Sequence, residues 1–123
     1  MRRIIYDKQG SPRLYITGAG VVYALDNQVR GFVQNEQLAD ERGAVRGWFD
    51  GAFLWNLDGY LVGFVKGAKP PQSLDLPKTQ PLGTKPQPTP ALLAPFLQMH
   101  PKPEFRYEWS EWELEEVFPT PLV

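Results

Sequence analysis

Aspartates recur near glycine or asparagine in this 123-residue chain, and repeated carboxylates are the first side chains to test for chemistry. Those that recur near the predicted hairpin turns are Asp7, Asp26, Asp40 and Asp58. Gathered in one site, they could bind a cation or form an acid/base pair. In turns, however, Asp commonly accepts hydrogen bonds from nearby backbone N–H groups. Their regular recurrence at turn positions favours this structural role over a catalytic one.

Residue types that support metal or nucleophilic chemistry are scarce. His100 is the single histidine, and the chain has no cysteine. This argues against a histidine metal centre or a catalytic triad within one chain, and it removes thiolate ligands. The glycine-containing stretch 18–20 precedes a strand pattern, whereas a phosphate-binding loop precedes a helix. We therefore expect no cofactor and no bound metal, and we favour a non-enzymatic role over an enzymatic one.

A fourfold repeat supplies the elements that position these aspartates. Its copies read IYDKQGSPRLYIT (5–17), VYALDNQVRGFVQ (22–34), LADERGAVRGWFD (38–50) and LWNLDGYLVGFVK (54–66). Each copy places Gly or Asn between two extended apolar stretches, which is the pattern of a β-hairpin. A short, nearly constant period indicates one structural unit repeated. The sequence therefore predicts an all-β fold with four hairpins in a pseudo-fourfold closed arrangement.

Four aromatic residues, which we call the aromatic set, occupy equivalent places in the four copies. The set is Tyr15, Phe32, Trp48 and Phe64. Arg30 and Arg46 precede two of them by two residues. Together these six side chains are candidates for a platform that stacks on a sugar, a base or a peptide. The alternative is that the aromatic set only packs the small sheet.

The second strands carry a further regularity. Gly47 and Gly63 each stand between apolar residues, where a glycine weakens a strand unless another backbone approaches closely. Leu14 takes this place in the first copy. Strict alternation would put Leu61 on the same face as Gly63, with Val62 on the opposite face. We expect the glycines to mark close backbone approach near the central axis.

These repeats resemble the bacterial 4-fold β-flower family. The most specific segments are GWFDGAFLWNLDG (47–59) and GFVKGAKPP (63–71), and the resemblance covers about residues 4–70. It implies a compact, pseudo-fourfold all-β domain. It implies no established activity and no catalytic residues.

Proline placement divides the chain into three parts. Twelve of the 13 prolines lie at or beyond residue 70. We expect a four-hairpin domain over 1–69, a proline-rich extended linker over 70–103, and an aromatic and acidic docking segment over 104–123. No two prolines are three residues apart, so the PxxP motif of SH3 ligands is absent.

The last segment carries the signature of a short helix. Ser110 and Glu113 form a capping box, which predicts a helix from about Glu111 to Phe118. Trp109, Trp112 and Phe118 are too many large apolar side chains for a free arm. We expect them to dock on this chain's own repeats or on another copy.

Charge and hydropathy exclude some partners. A net charge of −1 gives no general attraction to nucleic acid, and no apolar run is long enough to cross a membrane. We expect a cytoplasmic, non-enzymatic module for protein binding, scaffolding or assembly, with a protein partner or self-association into a homo-oligomer. Two alternatives stay open. One is a small hydrolase with shared carboxylates at an oligomer interface, and the other is sugar or nucleic-acid binding on the aromatic set.

Overall fold

Eight antiparallel strands close into a barrel in the computed structural model, which describes residues 3–71, 74–83, 86–87, 99–111 and 114–117. The strands are β1 Arg3–Tyr6, β2 Pro12–Ile16, β3 Val21–Ala24, β4 Val29–Gln34, β5 Gln37–Asp40, β6 Val45–Phe49, β7 Phe53–Asn56 and β8 Leu61–Val65. Each strand pairs with its neighbour in sequence, and β1 pairs with β8 to close the barrel. The predicted all-β fold with four hairpins is confirmed.

Every hairpin contains the same β-bulge. In the fourth hairpin Leu54 pairs with Gly63, but Trp55 pairs with Leu61, so Val62 is an extra residue. Bulges bend a strand and increase its twist, which a small closed barrel requires. The equivalent extra residues are Arg13, Arg30, Arg46 and Val62.

The bulge reverses the alternation of side chains before the glycine. Val62 belongs to one buried cluster together with Ile5, whereas Leu61 belongs to another together with Phe64. The expectation that Leu61 and Gly63 share a face is therefore wrong, because Leu61 faces the outside of the barrel and Gly63 faces Ile5 in its interior. An extra residue on one strand shifts every preceding side chain to the opposite face.

Two hydrophobic clusters make up the core. The inner cluster gathers side chains from strands all around the barrel, which only the barrel interior can bring together; its strand residues are Ile5, Leu14, Ile16, Val22, Leu38, Phe49, Leu54 and Val62. The outer cluster lies on the external face of the first, third and fourth hairpins and includes Tyr6, Trp48, Phe53, Trp55, Leu61 and Phe64. Leu74 joins this outer cluster, so the segment beyond residue 69, which we call the tail, covers it.

Close approach of the next hairpin explains the two strand glycines, through backbone at Gly47 and mainly through a side chain at Gly63. A Cβ on Gly47 would overlap the carbonyl oxygen of Trp55 on the neighbouring strand β7. A Cβ on Gly63 would lie 2.8 Å from Ile5 Cγ2, inside the barrel. The crowding therefore arises where one hairpin meets the next, at the β6/β7 and β8/β1 pairings.

The end of the tail enters the barrel. A 3-10 helix spans Leu114–Val117, and both of these residues belong to the inner cluster. The predicted helix from Glu111 to Phe118 is not confirmed: this single short turn is what the described residues contain, and Phe118 lies outside them. No helix in the described part of the chain is long and apolar enough to cross a membrane.

Candidate functional site

The first hairpin turn is organised by a buried aspartate. Asp7 is 1% exposed, and its Oδ1 accepts hydrogen bonds from the backbone N–H groups of Gln9 and Ser11, both at 2.9 Å. Its Oδ2 accepts a hydrogen bond from Arg13 Nε at 2.7 Å. The bulge places Arg13 beside the carboxylate. The Asp7 side chain therefore stabilises both the turn and the bulge.

The third and fourth turns repeat this design with one change. Asp40 Oδ1 accepts the N–H groups of Arg42 and Ala44, and Oδ2 accepts Arg46 Nε at 3.0 Å. In the fourth turn Asn56 Oδ1 takes the same acceptor role at 3.0 Å, without a charge. In the second turn the equivalent residue is Ala24, which has no acceptor side chain.

Hydrogen bonding decides the protonation of the two buried aspartates. Burial raises the pKa of Asp7, but hydrogen bonds from the guanidinium of Arg13 and from the N–H groups of Ser11 and Gln9 lower it by more. The net effect is a pKa below the ordinary value of 3.8. The pKa of Asp40 is lowered by the same balance, with Arg46 as the cation. Both groups are therefore ionised at neutral pH and serve as turn acceptors.

The four candidate aspartates do not form one centre. Asp7 and Asp40 occupy the first place of their turns, whereas Asp26 lies two residues further along its turn and accepts the N–H of Gln28 at 3.1 Å. Asp58 is exposed in the fourth turn. No group of three or more His, Cys, Asp or Glu side chains within the described residues could hold a metal ion.

The aromatic set is buried. Its exposed fractions are 1% for Tyr15, 5% for Phe32, 1% for Trp48 and 2% for Phe64. Tyr15 stacks on Tyr23 with ring centroids 5.1 Å apart. Trp48 and Phe64 instead meet tail residues edge-on. In this arrangement the set offers no open stacking face, and ligand binding on it stays a prediction.

The predicted arginines and docking residues have specific places. Arg46 is paired with Asp40, and Arg30 is the bulge residue of the second hairpin. Trp109 packs on Phe64, with ring centroids 6.2 Å apart. Trp112 and Phe118, the other two predicted docking residues, lie outside the described residues.

The tail docks on the first and fourth turns in the same way. At the first turn a Cβ on Gly10 would overlap the carbonyl oxygen of Lys78, and Gln80 N donates to the Gly10 carbonyl at 2.8 Å. At the fourth turn a Cβ on Gly59 would overlap the carbonyl of Glu104. Arg106 N likewise donates to the Gly59 carbonyl at 2.8 Å.

A proline precedes each of these tail contacts. Pro77 and Pro103 each have their Cβ 3.5 Å from the position of the missing glycine Cβ. Gly10 and Gly59 have φ angles of +81° and +86°. Each turn therefore requires glycine for two reasons: the positive φ angle, and the close approach of the tail backbone. The sequence shows the glycines and the prolines, but not that they meet, because this contact is made by main-chain atoms.

The tail also contacts the second and third repeats. Gln87 N donates to Asn27 Oδ1 at 2.8 Å, and His100 N donates to Gln37 Oε1 at 2.7 Å. Next to the fourth turn, the backbone of Leu61 exchanges hydrogen bonds with residues 108 and 110. The described parts of the tail therefore contact the first, second, third and fourth repeats in that order along the chain.

Phe105 anchors the tail among tryptophans. Its ring stacks on Trp55 with centroids 4.5 Å apart and meets Trp48 at 6.0 Å. Trp55 Nε1 donates to the carbonyl of Arg106 at 2.9 Å. Apolar contact and a directed hydrogen bond thus hold this segment on the outer cluster.

A cleft of about 240 Å³ opens beside the fourth turn. It is lined by Asn56, Asp58, Tyr60, Trp109, Ser110 and Glu111. Asp58 and Glu111 are exposed, and the guanidinium of Arg106 lies 5.1 Å from the centre of the Tyr60 ring. The cleft therefore combines aromatic walls with carboxylates.

These features define a small closed barrel of four bulged hairpins, on which the described parts of the tail are docked. The family model described as 4-fold beta flower protein matches residues 3–118, and the chain belongs to this family. No curated protein and no solved structure matches the chain.

Proposed function

We propose that this chain is a non-enzymatic protein-binding or scaffolding module, which holds extended chain through its aromatic face and hairpin turns. The observation that carries the proposal is the repeated docking of tail main chain on Gly10 and Gly59. Two pseudo-equivalent turns hold two different tail sequences by the same atoms. Recognition through main-chain hydrogen bonds accepts varied sequences.

Specificity in this proposal comes from the outer cluster. Phe105 is half-buried between Trp48 and Trp55, which is the arrangement of an aromatic anchor in a binding groove. In the single chain the groove is filled by the chain's own tail. When the same kind of segment comes from a partner molecule, its binding in the groove joins the two molecules. As part of the same proposal we place the module in the cytoplasm, with a protein partner.

The alternative of ligand binding on the aromatic set has one supporting feature. The cleft beside Trp109 would give a sugar or a base access to the edge of the outer cluster, although Trp48 and Phe64 of the set pack against tail residues. The described carboxylates give the hydrolase alternative no comparable support, because Asp7 and Asp40 are engaged in turns.

Deletion of residues 104–123 and addition of the segment in trans test the proposal. We expect the truncated chain to melt at a lower temperature and to bind a labelled peptide of residues 99–117 saturably, with recovery of the melting temperature. The matched control is the same peptide with Phe105→Ala, which we expect to bind more weakly. Unchanged stability and mass on deletion, with no peptide binding, would contradict the proposal.

A further inference from the structure

The two turns that hold the tail carry opposite charge. The first-turn surface, residues 7–13 with 77–80, contains Lys8, Arg13 and Lys78 against Asp7, for a net charge of +2. The fourth-turn surface, residues 56–62 with 103–111, has a net charge of −3; its charged residues are Asp58, Glu104, Arg106, Glu108 and Glu111. Pseudo-equivalent backbone thus presents a basic and an acidic face.

Barrel topology places these two surfaces side by side. Each hairpin turn joins an odd-numbered strand to the following even-numbered one, so all four turns lie at the same end of the barrel. The first and fourth hairpins are neighbours because β1 pairs with β8. The basic and acidic surfaces are therefore adjacent at one end.

We propose that this end of the barrel is a self-association surface whose occupant is a second copy of the chain. A two-fold axis between the first and fourth turns would set the basic surface of each copy against the acidic surface of the other. Such an isologous contact uses both surfaces and closes at two copies. The inference deepens the proposed scaffolding function and rests on it, since it names the partner through which the module assembles.

The remaining two turns are compatible with this arrangement. The same axis brings the second turn of one copy to the third turn of the other. Asp26 and Arg30 balance each other in the second turn. In the third turn two acidic and two basic residues balance, namely Asp40, Glu41, Arg42 and Arg46. No like-charge repulsion therefore opposes the contact between them.

The fourth-turn cleft gives the basic surface a place to insert. Asp58 and Glu111 line it, and the walls of Tyr60 and Trp109 can pack against the methylene stem of a lysine. The stacking of Arg106 over Tyr60 shows that this ring already accepts a cation. Lys78 of the second copy, which is exposed, fits this chemistry. Leu57, 48% exposed at the tip of the same turn, would be covered by the contact.

The contact should depend strongly on salt, because exposed charges are screened beyond about 8–10 Å at physiological ionic strength. We expect the full-length protein to sediment as a dimer at low ionic strength. We expect the dissociation constant to rise by about tenfold or more in high salt.

Charge exchange in the full-length chain gives a decisive test. An acidic-end variant carries Lys8→Glu and Lys78→Glu, and a basic-end variant carries Asp58→Lys and Glu111→Lys. Each variant alone sets like charges against each other and should sediment as a monomer. An equimolar mixture should restore the dimer, because each surface again faces its opposite.

A matched control changes the same charge at the other end of the barrel. Lys66→Glu with Lys69→Glu alters two exposed lysines after β8, and this variant should remain a dimer. Thermal melting of all variants verifies that they fold.

A monomeric wild type at low salt, or charge-exchanged variants that still dimerise alone, would overturn the inference. A wild type that stays monomeric but binds a lysine-rich peptide in the cleft would also overturn it and point to a different basic partner. Binding of the tail peptide is measured separately, so failure of self-association leaves the proposed function standing.

Discussion

The barrel and its tail are built by different kinds of contact. In the barrel each hairpin is stabilised by hydrogen bonds within one repeat, such as Asp40 N to the Ala44 carbonyl at 2.9 Å and Asn56 N to the Tyr60 carbonyl at 2.9 Å. In the tail the contacts span long stretches of sequence, for example from Arg106 to Gly59. The barrel is therefore local and periodic, whereas the tail depends on a surface that the barrel must provide first.

This difference separates two ways of contributing to the fold. The tail completes the hydrophobic core from outside the repeat, because Leu114 and Val117 enter the inner cluster and Phe105 packs on the outer one. A removable appendage would leave both clusters intact when lost. The following substitutions compare the two regions, from the largest expected effect to the smallest.

Truncation of Leu114 should give the largest effect. Leu114 is 1% exposed within the inner cluster, so Leu114→Ala should lower the free energy of unfolding by about 2–5 kcal/mol, as removal of buried methylene and methyl groups does. Chemical denaturation measures the loss. Leu57→Ala, at a half-exposed leucine, is the control and should change little. Equal stability of the Leu114 variant and wild type would show that the tail is an appendage after all.

Enlargement of Gly47 tests the barrel itself. Its Cβ would overlap the Trp55 carbonyl, so Gly47→Val should cost about 1–3 kcal/mol through overpacking. Gly83→Ala is the control in the tail, because a Cβ at Gly83 has no atom within 4 Å. If denaturation shows the two variants to be equally stable, the glycine marks a flexible strand and not a crowded contact between hairpins.

The sequence predicts the barrel far better than the tail, for a physical reason. Repeated local patterns around residues such as Gly10 and Gly59 specify hairpins without reference to the rest of the chain. The bulge was missed because all four copies carry the extra residue, so aligning them shows no gap. The path of the tail was missed because main-chain docking leaves little trace in side chains. Trp109, one of the residues expected to dock, packs on Phe64. The binding role of the aromatic set stays a prediction.

Two tryptophans that touch the tail provide a matched pair. Trp55 Nε1 donates to the Arg106 carbonyl, whereas Trp48 Nε1 is the buried side-chain polar atom without a hydrogen-bond partner in the described residues. Trp55→Phe should therefore destabilise by about 1 kcal/mol more than Trp48→Phe, the usual worth of one hydrogen bond. Thermal denaturation of both variants measures the difference. A larger loss for Trp48→Phe would mean that the indole hydrogen bond to the tail contributes nothing.

Acid should destabilise the barrel through its turn aspartates. The lowered pKa values of Asp7 and Asp40 mean that their ionised forms stabilise the folded state at neutral pH. This contribution is lost as the pH falls below about 4 through the folded pKa values. Asp7→Asn with Asp40→Asn should retain the turns, as Asn56 does naturally, and should flatten the decline. If the stability of the double variant falls with pH as steeply as that of the wild type in this range, the acid sensitivity arises from other groups.

The smallest expected effect is a gain of stability in the second turn. Ala24 stands where the other turns carry Asp or Asn, so Ala24→Asp should add an acceptor for the backbone N–H of Asp26 beside Arg30, the bulge residue. The N–H of Gln28 already donates to Asp26 Oδ1. By analogy with Asp7 and Asp40, we expect a gain of about 0.5–1.5 kcal/mol in the free energy of unfolding. Ala44→Asp, at an exposed alanine after the third turn, is the control and should give no gain. Because the effect is confined to one hairpin, it should appear equally in the full-length chain and in the chain lacking residues 104–123. A gain that requires residues 104–123 would show that the effect is not confined to the second hairpin, since these residues do not include Gln87, the tail residue bonded to that turn.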